Sequence, residues 1–143
     1  MTRKSGVVVG WGLLAAFLLT AGLADAKPDK DPSLKDIMAK LNDKDTGLLV
    51  GINKGLKQDD PDWAALQKLT KQYLDGAEAV PQKDPPKGEK DSWAKLSKSF
   101  VAAAKSVDEA ANAKDQKACK DACEKMMMGC RACHMAHRVM KPK

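Results

Sequence analysis

Rings are scarce in this chain: three tryptophans, one tyrosine and two phenylalanines stand among 143 residues. A chain of this length is one domain, and with so few aromatic side chains to supply core volume, something other than side chains is expected to help fill the interior. Beyond residue 26 there is no run apolar enough to span a membrane. Sustained alternation of apolar and polar residues is also missing, which excludes a sheet protein. Cysteine is absent everywhere except at 119, 123, 130 and 133. Bridges among such close neighbours would close only tiny loops and tie no distant parts together, so a disulfide framework is excluded as the source of stability. No nucleic-acid-binding motif is visible.

What is present begins with an export signal. Arg3 and Lys4 precede an apolar stretch from Val7 to Leu19, followed by the small-x-small site Ala24-Asp25-Ala26. This reads as a cleavable secretory signal over 1–26. Cleavage leaves 143 − 26 = 117 residues, a mature domain over 27–143. The uncharged stretch from Gly6 to Ala24 approaches the length of a membrane span, which keeps an uncleaved anchor as the alternative. The formal charge of +6 falls to +5 on removal of Arg3, Lys4 and Asp25. Its lysines are scattered at helical spacing, the pattern of a solvated surface rather than a docking patch for an acidic partner.

Steps of three and four recur through the mature chain, and the expected fold class is all-α. Four segments are expected. Segment A starts at Asp31-Pro32-Ser33 and carries a stripe through Leu34, Ile37, Met38, Leu41, Leu48, Leu49, Ile52 and Leu56, with a kink or break near 42–46. Gly47, Gly51 and Gly55 admit close approach of a helix or a flat cofactor, or reflect local looseness. Segment B takes Asp60 as cap and Pro61 as its first residue, with a seam of Trp63, Leu66, Thr70, Tyr73, Ala77 and Val80. Segment C starts near Asp91 with Trp93, Leu96, Phe100, Ala103, Val107 and Ala110. The stretch PQKDPPKGEKD (81–91) between B and C is a loop. Segment D is capped by Asp115 and ends near Arg138. Short connections favour an antiparallel up-down-up-down four-helix bundle.

The chemistry sits in GCRACHMAHR, residues 129–138. A C-x-x-C pair alone serves zinc, a redox disulfide or haem, but a histidine directly after the second cysteine is the signature of covalent haem c attachment. Cys130 and Cys133 would form thioether bonds to the porphyrin, and His134 would bind iron from one face. Zinc would need further donors, for which only Cys119, Cys123 and His137 are at hand. A thiol–disulfide site lacks its usual βαβ setting.

Taken together, the signal, the helical segments and the C-terminal CxxCH resemble the class II cytochromes c, cytochrome c-prime and its six-coordinate relatives. The resemblance rests on Met38 early in segment A, on Trp93 to Phe100 opening segment C and on GCRACHMAHR, and it covers residues 30–140. It implies one covalently bound haem c on the last helix. A basic residue four positions after the ligand histidine is usual in the family, and Arg138 stands there as a propionate or proximal-side contact. Where many relatives carry Phe or Tyr before that residue, this chain has His137.

In an antiparallel bundle the start of A and the end of D lie at one end. Met38, five residues past its cap or about 7.5 Å along the axis, then meets His134 in level and is the expected second axial ligand. Cys119 and Cys123 lie about 20° to either side of Cys130 around the helix and are expected as buried thiols. Met126, Met127 and Met128 are expected to pack around the macrocycle, with Met135 or Met140 joining them if buried. For His137 a propionate contact or a surface position is expected. The resemblance implies a periplasmic one-electron carrier, not an enzyme, whose partners are redox proteins. A homodimer stays open, and the alternative is a five-coordinate haem protein that binds nitric oxide or carbon monoxide.

Overall fold

The computed structural model describes residues 31–139. Over that range the chain is all-α: α1 (Leu34–Asn42), α2 (Leu48–Leu56), α3 (Trp63–Glu78), α4 (Lys90–Asn112) and α5 (Gln116–His137), with a 3-10 turn at Val80–Gln82 and no strand among the described residues. The expected export signal over 1–26 lies outside the described residues. No helix among those described is long and apolar enough to cross a membrane.

Segment A is two helices rather than one. Ser33 and Asp36 form a reciprocal capping box that starts α1, satisfying two otherwise orphaned donors. The Asp43 carboxylate then accepts from the amides of Asp45 and Thr46, at 3.0 and 2.9 Å, and from the Thr46 hydroxyl at 2.9 Å. These local bonds compete with the helical ladder and end it. Gly47 must lack a side chain there, because a Cβ would fall 2.5 Å from the Asp43 amide nitrogen. Further on, Gly55 brings α2 close to α3: a Cβ on it would sit 2.7 Å from Leu66 Cδ2, and one on Gly51 3.2 Å from Leu69 Cδ1. The spaced glycines therefore serve a turn and a helix contact, not a flat cofactor.

The α3 cap is Asp62, which accepts from the Ala65 amide at 3.0 Å, and the helix starts at Trp63. The expected cap at Asp60 is thus displaced by two residues. Asp62 holds its carboxylate at the distance an N-cap needs, and the helix starts directly after it. Pro61 is buried ahead of the helix. For α5 the cap is Asp115, as expected, accepting from the Ala118 amide at 2.9 Å. The turn into it places Lys114 at φ +56°, the left-handed region.

Leu41, Ile52, Leu66, Tyr73, Val107 and Met126 anchor one apolar core, all fully enclosed. Each such burial contributes about 1.5–3 kcal/mol. The seam of α3 is buried as expected except for half-buried Trp63. On α4 the buried face is Trp93, Ser97, Ala104, Val107, Asp108 and Ala111, rotated by about one residue from the expected stripe at several positions. Polar contacts fix which ends meet. Thr70 Oγ1 donates to Asp108 Oδ1 at 2.7 Å, and Gln67 Nε2 donates to the Ala111 carbonyl at 3.3 Å. Gln116 Nε2 donates to the carbonyls of Leu56 and Gln58, each at 2.8 Å, joining the start of α5 to the end of α2.

Candidate functional site

One apolar face of α5 carries Cys119, Cys123 and Met126 into the core, and the same face then opens onto a cavity. That cavity has a volume of about 380 Å³ and is walled by Met38, Leu49, Phe100, Cys130, Cys133 and His134 among others. A second cavity of about 350 Å³ reaches the helix ends and is lined by Lys35, Trp93 and Arg138. Met38, Asn42, Cys133 and His134 belong to both. Volumes of this size are those of small-ligand sites, which are mostly apolar with a few placed polar groups.

Each expected site residue is accounted for. Cys130 and Cys133 are free thiols, half-buried in the cavity wall, and burial pushes both above the ordinary thiol range. His134 lines the cavity with an exposed outer edge. Partial burial, then the nearby Arg138 guanidinium, lowers its pKa, which favours the neutral imidazole, the form whose lone pair binds metals. Met38 is half-buried on α1 and lines both cavities. Arg138 is the exposed residue that ends α5, its amide donating to the His134 carbonyl at 3.0 Å. The fold therefore brings Met38, Cys130, Cys133 and His134 to one cavity, with Arg138 at its neighbour.

Other expectations are corrected. His137 is not on the surface: it is 2% exposed and borders the second cavity. Its Nδ1 lies 2.8 Å from the Lys87 carbonyl and its Nε2 3.1 Å from Ser92 Oγ. A carbonyl only accepts, so Nδ1 carries the proton and the ring has no nitrogen left for a metal. Its ring also meets Trp93 edge to face, centroids 5.3 Å apart. The side chain clasps the end of α5 to the start of α4. Among the methionines, Met126 is buried and Met127 borders the cavity, while Met128, 70% exposed, does not line it; Met135 is exposed, so the condition on it is not met. Met140 lies outside the described residues.

Cys119 and Cys123 are buried thiols, at 0% and 2% exposure. Cys119 Sγ also contacts the Val107 carbonyl at 3.6 Å. A hydrogen bond between the two thiols pulls Cys119 down and pushes Cys123 up, and burial adds to the latter. No group of three or more His, Cys, Asp or Glu side chains converges among the described residues. The donors that zinc would require are thus dispersed.

The sequence reading missed Asn42, which it counted only as poor helix material. It stands one turn after Met38 on α1, lines both cavities, and accepts from the Tyr73 hydroxyl at 2.8 Å. Its i,i+4 spacing from Met38 was the available signal. Comparison with known protein families, curated proteins and solved structures gives no match.

Proposed function

We propose that this chain is a monohaem c-type cytochrome of the class II kind, exported to the periplasm and carrying one electron at a time between protein partners. The observation that carries the reading is the CxxCH set Cys130, Cys133 and His134 sharing one apolar cavity with Met38 from another helix. Free thiols, a neutral imidazole and a thioether fit haem c as donors: Cys130 and Cys133 would anchor it, and His134 and Met38 would supply its iron ligands. When bound, the haem supplies a one-electron iron couple that the amino acids lack.

The protein's own part is to hold and enclose. His134 and Met38 stand on separate helices, α5 and α1, and would hold a bound haem iron between them with little movement of the chain. Leu49, Phe100 and Met126 exclude water from the cavity and so help set the potential. Arg138 and Lys35 put cations beside the second cavity, where carboxylate groups at the edge of a macrocycle are matched by charge. The packing supports the antiparallel four-helix bundle, with α1 and α2 together forming its first arm. Gly76 against Leu41 and Gly55 against Leu66 run that arm opposite to α3.

The test is a protein made alongside a haem-ligation system. Its mass exceeds that of the bare processed chain by one haem, its ferric spectrum is low-spin, and Met38→Ala turns it high-spin. A mass equal to the bare chain ends the reading. High-spin iron in the unaltered protein instead favours the five-coordinate protein that binds nitric oxide or carbon monoxide.

A further inference from the structure

A chain of three side chains leads from the core to the Met38 sulfur. Tyr73 on α3 is 1% exposed, and a buried phenol needs a partner for its hydroxyl. It donates to Asn42 Oδ1 at 2.8 Å, reaching across to the last residue of α1. That bond decides which way round the amide sits. With Oδ1 turned to Tyr73, Nδ2 is turned back along α1 and lies 3.8 Å from Met38 Sδ, contact length for the weak acceptor a thioether is. Burial, with smaller effects from Cys130 and Cys123, pushes the Tyr73 hydroxyl far above its ordinary value, so it stays a donor at any physiological pH.

Methionine has three rotatable bonds and adapts to whatever gap it is given. Beside a cavity of about 380 Å³ an untethered thioether would sample many rotamers, and fixing it on iron would cost side-chain entropy. A thioether sulfur has two lone pairs. One can accept from Nδ2 while the other is left for a metal.

We propose that Asn42, oriented by Tyr73, is a positioning residue that holds the Met38 thioether ready for iron on the side of the haem opposite His134. The inference rests on the haem reading above and adds to it a named support for the sixth ligand. Groups outside the ligand set that orient it typically change metal affinity by 10–100-fold when removed.

The experiment uses the haem-loaded protein and titrates imidazole, which competes with Met38 for ferric iron, following the absorption spectrum. Asn42→Leu, similar in size but without the donor, binds imidazole about tenfold more tightly than the unaltered protein. Tyr73→Phe keeps the amide but frees it to turn, and shifts the affinity less in the same direction. Thr70→Val, which weakens the α3–α4 contact without touching Met38, leaves imidazole binding unchanged. Unaltered affinity in Asn42→Leu overturns the proposal, as does an equal gain in Thr70→Val, which would mean general loosening. If Asn42→Leu fails to fold, Tyr73→Phe decides: no shift overturns the proposal. High-spin iron in the unaltered protein, read before any variant, removes Met38 from iron and overturns the ligation reading along with this one.

Discussion

Two cysteine pairs stand on one face of α5 and meet opposite surroundings. Around Cys119 and Cys123 the core closes: Val107, Ala111 and Leu56 are fully buried nearby in the same cluster, and Gln116 stitches α5 to the end of α2. Two to four turns further on, Cys130 and Cys133 face cavities rather than side chains. The same residue type at the same helical phase is thus sealed in the core in one half and set in a cavity wall in the other. What differs is what faces each pair: the Val107 carbonyl and the end of α2 close over the first, while the second borders the cavity beside Met38. The first arm breaks at Asp43 and resumes as α2, and its small residues let α2 seat tightly on α3, while around Met38 the helices stand apart.

The comparison can be broken or sharpened by substitution. On the proposed haem reading, replacing Cys130 and Cys133 by Ala is expected to abolish haem stain on a denaturing gel, whereas Cys119→Ala with Cys123→Ala is expected to retain it. The core pair instead costs stability, roughly 1 kcal/mol per site, measured by urea denaturation. Between these lies Thr70→Val at the closed half. Asp108 is nearly buried and holds bonds from Thr70 and Asn112; stripping one donor from a buried carboxylate costs about 1–3 kcal/mol. The smallest effect is expected at the α4–α5 turn. Lys114 sits at φ +56°, a backbone region that costs an L-residue about 1–2 kcal/mol. Lys114→Gly relieves this against an opposing entropy of roughly 0.5–1 kcal/mol in the unfolded chain, for a small net gain in the urea midpoint.

Much of the helical layout was legible because it is local. Asp115 as a cap, the break after Asn42, the buried α3 seam and the proline-rich loop all follow from neighbours in sequence. At the start of α3 the expected cap, Asp60, was two residues early, because it is Asp62 whose carboxylate reaches the N3 amide. The burial of His137 was missed for a different reason. Its partners, Lys87 and Ser92, are 50 and 45 residues away, and no spacing rule reports a clasp between a helix end and a loop. Asp108 was invisible on similar grounds, since a carboxylate in a helix looks solvated until Thr70 is found facing it.

The sequence by itself determined the helical class, most helix limits and the grouping of Cys130, Cys133 and His134, because each depends on side chains a few bonds or one turn apart. Only the tertiary structure decided that Asn42 joins Met38 in a cavity with that group, that Tyr73 reaches Asn42, and that His137 turns in against Lys87 and Ser92. Those outcomes depend on which helix faces which, at what height and how closely, and that is set by packing between residues far apart along the chain.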